Sequence, residues 1–300
     1  MKTNLLSIFL LFLIFSSCQI ESRPYLESDY EITNQKILNL KDCIAQFGQV
    51  ESRQIGLGGD LSKQYANYER LLKISSNEDL IQLTKDSSST VIVYAITGLI
   101  TRKDKRFLHA FDYYLKNDLN VSMQQGCVGY ETTVSEEIYN TYFYKLWNSS
   151  EYDKKVMEED LLLISLDSII LNYENASWGT YKRALKNRDY GTKYHKTVLK
   201  IGFEEKDFDA LAYLFKIDRK KYQKRIVPFL KKYLTEQEEI TVSNLDVIYK
   251  VLISLNDDDL NKLLFSKLKD IEQMHDKGAK YRYKNLLYKH GVTKDILSSS

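Results

Sequence analysis

The sequence predicts an all-α protein: an irregular α-solenoid of stacked antiparallel helix pairs, following an N-terminal signal peptide. Three observations carry that expectation. Only 12 glycines and 2 prolines, Pro24 and Pro228, occur in 300 residues, too few for the many tight turns of a sheet protein. Apolar residues recur at helical spacing along most of the chain. About a dozen such segments follow one another through short connections, so that each pair buries its face on the next. Hydrophobic content of 43% and charged content of 28% belong to a chain that folds. The 23 tyrosines suit half-buried helix faces, where the ring packs and the hydroxyl stays wet.

The N-terminus stands apart from the fold. Lys2 is followed by the apolar run Leu5–Phe15, which is too short to span a bilayer and has the length of a signal-peptide core. The run leads into Phe15-Ser16-Ser17-Cys18, which resembles the lipobox of bacterial lipoproteins. In that family the peptide is cleaved before the cysteine, and its thiol carries a diacylglycerol. Phe15 stands where the family usually has leucine. The competing readings are an ordinary cleaved signal peptide and an uncleaved anchor. The resemblance implies a signal peptide over residues 1–17, lipidation at Cys18, and a location in the cell envelope. The chain would then be anchored to the inner or outer membrane, periplasmic or surface-exposed. Residues 18–31, polar and containing Pro24, read as a flexible tether, and residues 32–300 as the helical domain.

Along that domain, Ile32–Phe47 has helical spacing and Gly48 as a C-cap. Gln49–Gly59 reads as a loop. Its glycines lack the preceding strand and the Lys-Ser/Thr of a phosphate-binding loop. Ser62 caps a helix to Ile74, Asn77 caps Glu78–Lys85, and Asp86-Ser87-Ser88-Ser89 is a turn. Thr90–Arg102 is apolar on most sides, as expected of a helix packed between neighbours. Asp104 caps Lys105–Lys116. Val134–Trp147 and Tyr152–Tyr173 follow as helices, the latter the longest. Shorter helices at Tyr181–Leu185 and Tyr194–Ile201 precede the pair Asp207–Ile217 and Lys220–Leu234, where Pro228 predicts a kink or break. Val242–Leu255, Asp258–Met274 and Lys280–His290 complete the chain.

Asp86, Val91, Ala95 and Leu99 form an Asp-turn-Val-x-x-x-Ala-x-x-x-Leu pattern. It resembles the second helix of a HEAT-type repeat, and Asp118 and Val121 give a weaker echo. Ile92 takes the place of the family's usual arginine, so the Arg–Asp ladder of regular HEAT arrays is not expected at this repeat. The stretch 56–128 resembles bacterial lipoproteins that carry such repeats, a resemblance that implies no activity.

No catalytic or metal-binding pattern stands out. His109, His195, His275 and His290 form no i, i+4 pair. Cys43 and Cys127 lack metal-ligand spacing and read as buried free thiols rather than a required disulfide. Adjacent carboxylates such as Glu136-Glu137 do not face each other on a helix. No cofactor is expected. Charge is unevenly spread: residues 131–174 hold ten acidic side chains against three basic, and residues 182–232 sixteen basic against six acidic. Arg219, Lys220, Lys221, Lys224, Arg225, Lys231 and Lys232 lie along or just before one predicted helix. They form either a solvated face balanced by the acidic block or a docking face for an anionic partner, lipid headgroup or acidic protein. For an exported lipoprotein, nucleic acid is not among the expected partners. The expected function is a membrane-tethered, non-catalytic scaffold or binding module with a protein partner. The alternative is an all-α hydrolase or carbohydrate-active enzyme.

Overall fold

Helix starts follow the short polar side chains that supply an acceptor to the unpaired N–H groups of a first turn. In the computed structural model, which describes residues 30–149, 153–173, 176, 178–236, 259, 260 and 263, Asn34 opens α1 (Gln35–Phe47) and Ser62 opens α2 (Lys63–Ile74). Ser76, one residue before the expected cap, opens α3 (Asn77–Leu83) through a reciprocal capping box with Asp79. Then come α4 (Ser89–Thr101) and α5 (Phe107–Lys116). Burial pushes the Asp79 carboxyl up, but hydrogen bonds from Tyr30 and Ser76 outweigh it and hold the group below its ordinary range.

The described residues are mostly helical, with twelve helices, but the chain is not all-α. The segment expected to be a loop is β1 (Gln49–Ile55), turning into the short β2 (Asp60–Leu61). Beyond α5, β3 (Asn120–Gly126) and β4 (Val128–Thr133) replace the second repeat expected from Asp118 and Val121. The sheet order is β2-β1-β3-β4, with β1 and β3 parallel and both outer pairings antiparallel. Asp118, expected to begin a repeat, instead accepts from the backbone N–H of Ser135 at 3.0 Å. The chain divides into two compact units, residues 1–142 and 143–300.

In the first unit, ten residues of α4 are buried, including Val91, Ile92, Ala95, Ile96 and Leu99. Helices α1, α2, α3 and α5 and strands β1 and β3 all pack against it. Gly98 permits a close approach of α2 and α3, since a Cβ there would stand 3.1 Å from both Leu72 and Leu80. Tyr94 stacks on Tyr68 with ring centroids 4.7 Å apart. Its hydroxyl accepts from the Glu51 N–H at 2.8 Å and lies 3.1 Å from the Glu51 carbonyl, to which it donates. Burial pushes the Tyr94 phenol up and that of Tyr68 up to about 12. At the far end of α4, the Arg102 Nη2 donates to the carbonyls of Leu72 and Ser75 at 2.6 and 2.7 Å, capping α2 from outside.

The second unit begins in α6 (Val134–Ser149), the helix that crosses the division. The single helix expected over Tyr152–Tyr173 is two, α7 (Lys154–Glu159) and α8 (Leu161–Asn172). Asp160 is extended between them and caps α8 at the Leu163 N–H. Then follow α9 (Trp178–Asn187), α10 (His195–Phe203), α11 (Phe208–Ile217, capped by Asp207) and α12 (Arg219–Glu236). Consecutive helices pack as α8 on α9, α10 on α11 and α11 on α12, with α9 also against α11. Helix α12 runs through Pro228, which lies on its exposed side, where water can serve the carbonyl that proline leaves unpaired. The signal peptide, Cys18 and the tether up to residue 29 lie outside the described residues. So do the three C-terminal helices, apart from the helical Asp259, Leu260 and Leu263.

Tyr94→Phe deletes the one hydroxyl that serves both backbone groups of Glu51. It should lower unfolding free energy by about 1–3 kcal/mol, the cost of buried polar groups left unpaired. Urea denaturation of the two proteins measures this, and an unchanged midpoint would mean that Glu51 finds other partners.

Candidate functional site

Two charged features of the second unit could recognise another molecule. The first is the basic helix expected from the sequence. At about 100° per residue, Lys220, Lys221, Lys224, Arg225, Lys231 and Lys232 share one side of α12, opposite the buried Tyr222, Ile226, Leu230 and Leu234. All six are exposed except Lys231, which is partly so. Arg219 falls on the first turn, off this arc, with its guanidinium carbon 5.5 Å from the Phe215 ring centroid. Arg225 lies over Phe203 at 4.4 Å and Lys221 over Tyr222 at 5.2 Å. Lys231 pairs with Asp259 at 3.3 Å and Lys232 with Glu236 at 3.9 Å. Lys220, Lys221, Lys224 and Arg225 form no ion pair with a carboxylate among the described residues. The described ion pairs of α12 therefore run to Glu236 and Asp259, not to the acidic 131–174 block.

The second feature was not expected. Asp167 sits in the otherwise apolar α8 and is 0% exposed. Burying a carboxylate demands donors, and the segment ending α9 supplies them. Asn187 Nδ2 lies 3.1 Å from both carboxylate oxygens. The Tyr190 hydroxyl donates at 2.8 Å, and Arg188 Nη2 stands at 3.3 Å. Arg188 Nη2 also donates to the Met157 carbonyl at 3.1 Å, and its guanidinium lies over the Tyr190 ring at 5.8 Å. Tyr213 locks the turn by accepting from the Tyr190 N–H at 2.7 Å. Burial first, then the Asp167 charge, pushes the Tyr190 phenol up, so it remains a donor at physiological pH. Arg188 borders a cleft of about 330 Å³ whose walls come from α7, α9 and α11.

Elsewhere, the His195 Nε2 is hydrogen-bonded to the Tyr222 hydroxyl. Burial, with the positive charges of Lys221 and Arg225, holds the imidazole below its usual value of 6.5, so it is neutral at pH 7. Cys43 and Cys127 are free and both exposed, whereas the sequence reading placed them in the core. Cys43 stands on the outer side of α1 and Cys127 at the tip of the β3–β4 hairpin. Among the described residues no group of three His, Cys, Asp or Glu side chains is placed to hold a metal ion, and no helix is long and apolar enough to cross a membrane. A signal for the Asp167 cluster was present: one acidic residue inside Leu161–Leu171. Its partners lie about twenty residues away, and only the fold pairs them.

Asp167→Ala leaves the Arg188 guanidinium buried without its counter-charge. The expected loss is about 3–5 kcal/mol, larger than for Asp167→Asn, which keeps acceptor capacity for Asn187 and Tyr190. Guanidinium denaturation of both variants checks the order, and equal losses would remove the ionic contribution.

No protein-family model matches this chain, and neither a curated protein nor a solved structure matches it.

Proposed function

We propose that this protein is a lipid-anchored, non-catalytic binding module of the cell envelope. Its basic face on α12 docks an acidic protein partner. The observation that carries the reading is the placement of six cations on one side of α12, four of them, Lys220, Lys221, Lys224 and Arg225, without an ion-pair carboxylate among the described residues. Such charges contribute little to stability. They set the field that steers an anionic partner and fixes its orientation. The successive helix packings of the second unit, together with the Asp86–Leu99 pattern in the first, favour an irregular solenoid that presents helix faces to a partner.

The anchor rests on the resemblance of Phe15-Ser16-Ser17-Cys18 to a lipobox. Acyl chains on Cys18 would contribute about 0.8 kcal/mol for each buried methylene, enough together to hold the folded domain at a bilayer through the tether that follows. An anchored module meets its partner at a membrane surface, where even modest affinity suffices because both are confined.

Two experiments test the parts separately. Metabolic palmitate labelling should be lost in Cys18→Ala, with the protein moving from the membrane to the soluble fraction. Labelling that persists refutes the anchor. The triple variant Lys220→Glu, Lys224→Glu, Arg225→Glu should unfold within about 0.5 kcal/mol of the parent, as surface changes do. It should lose the species that the parent captures from solubilised envelopes at about 0.1 M salt. Capture that survives the reversal removes α12 from the proposal. Recruitment of the parent, but not the variant, to anionic vesicles free of protein would make lipid headgroups the target instead.

A further inference from the structure

The two edges of the sheet in the first unit differ. Strand β2 closes one edge with only two residues, whereas β4 presents six on the other. The phase of the β3–β4 ladder decides which backbone groups of β4 face outwards. Its register is unbroken from Asn120↔Thr133 to Gln125↔Val128. The Val134 N–H continues it by donating to the Leu119 carbonyl at 2.9 Å. Along an antiparallel ladder, hydrogen-bonded pairs alternate with non-bonded ones. Val128, Tyr130 and Thr132 therefore direct their N–H and C=O groups to β3, and those of Gly129, Glu131 and Thr133 point away from the sheet. The outward backbone groups of these three have no partner among the described residues.

That edge is open to solvent. Gly129 is exposed and has no side chain, so what it exposes is backbone, and Glu131 is exposed as well. Natural edge strands are guarded against further pairing by proline, lysine, a bulge or a covering element. Strand β4 carries no proline, lysine or bulge, and its valine, tyrosine and threonines favour extended backbone. Its two faces are distinct. Val128, Tyr130 and Thr132 lie opposite Gln125, Met123 and Val121, the last two buried, so they share the face turned to α4. Glu131 lies on the other face, where the Ser122 hydroxyl donates to it. No lysine, arginine or histidine occurs between Lys116 and Lys145, so every charge from Asp118 to Glu137 is negative.

From this edge we infer that β4 docks an extended, basic peptide segment of a partner protein, added to the sheet as a further strand. Gly129, Glu131 and Thr133 each offer one donor and one acceptor at strand spacing, and main-chain bonds of this kind supply the affinity of strand addition. The two faces supply selectivity. A lysine or arginine directly across from Glu131 completes an opposite-charge pair on the outer face, in a neighbourhood with no cation of its own. Apolar residues on either side of that cation turn to the α4 face and extend the row of Val128 and Tyr130. The segment selected is thus an alternation of apolar and basic residues over the length of β4. The site shares no residue with α12 and selects the opposite charge, so it stands whether or not α12 docks an acidic protein.

The test is fluorescence anisotropy of the full folded chain with a labelled peptide of alternating valine and lysine, blocked at both ends, at about 0.15 M salt. The peptide should bind saturably at one site. Its lysine amides face β4 when lysine stands across from Glu131, so the same peptide N-methylated at its lysines keeps the charge and should lose binding. Glu131→Lys should weaken the parent peptide about threefold or more. Gly129→Pro removes one outward N–H, leaves the ladder to β3 intact and displaces only the end of the Gln124 side chain. It should weaken binding about tenfold. Should Gly129→Pro fail to fold, the N-methylated peptide tests the same bonds. Absence of saturable binding overturns the inference, as does binding unchanged by Glu131→Lys or by N-methylation. A chain that sediments as a dimer, becomes monomeric in Gly129→Pro and takes no peptide has a second copy on this edge, which overturns it too.

Discussion

The first unit depends on covering one helix. Helix α4 has apolar side chains in nearly every direction, and ten of its thirteen residues are buried. Apolar burial is non-directional and roughly proportional to area, so a helix of this kind is stable only when neighbours close around it. Four helices and two strands do so. Gly98 and the Tyr68–Tyr94 stack set how near they come. The sheet belongs to the same solution. Helices α1, α2, α3 and α5 account for part of the surface of α4, and the parallel pair β1–β3 covers another part. The Tyr94 hydroxyl ties β1 to the helix at the backbone of Glu51.

The second unit is organised by the opposite kind of constraint. Asp167 is a directional group in an apolar helix, and its partners come from one short stretch, Asn187 to Tyr190. A buried charge is weak evidence for net stability, but it admits few arrangements. The turn after α9 is fixed twice, by Asp167 from one side and by the Tyr213 hydroxyl from the other. That fixing brings Arg188 to the cleft wall. The polar cluster therefore converts a cost of burial into position, which a purely apolar contact between α8 and α9 would not do.

Helix content was legible because its signals are local. Asn34, Ser62 and Asp207 mark starts, Gly48 marks an end at φ 70, and the apolar periodicity marks faces. The sheet was not, for physical reasons that particular residues make plain. Strand β1 has only two apolar residues, Val50 and Ile55, among five polar ones, and its buried pair Val50 and Glu51 is consecutive, so no period-two alternation marks it. The alternation Val121-x-Met123 is two residues deep, too short to separate from helical spacing. One cue was available: Gln125 pairs with Val128, leaving Gly126 and Cys127 as a two-residue turn. Gly126 has φ 57, in the place where a type II′ hairpin takes glycine. The helix break at Asp160 was likewise hidden, since an aspartate inside a periodic run looks like a surface residue until its side chain is seen capping Leu163. The cluster around Asp167 depends on side chains twenty or more residues apart, and no local pattern joins them.

Basic residues of the 182–232 stretch consequently stand in two different settings. On α12 they stand in water, where a unit charge pair at 4 Å is worth about 1 kcal/mol and salt screens it within about 10 Å. Such charges add little to the fold and act mainly on encounter and orientation. Arg188 carries the same formal charge in a setting with few water contacts, and its interactions are correspondingly stronger and geometrically fixed. Sequence composition counts these cations alike. Burial separates them, leaving one set solvated on α12 and one guanidinium held by Asp167, Met157 and the Tyr190 ring.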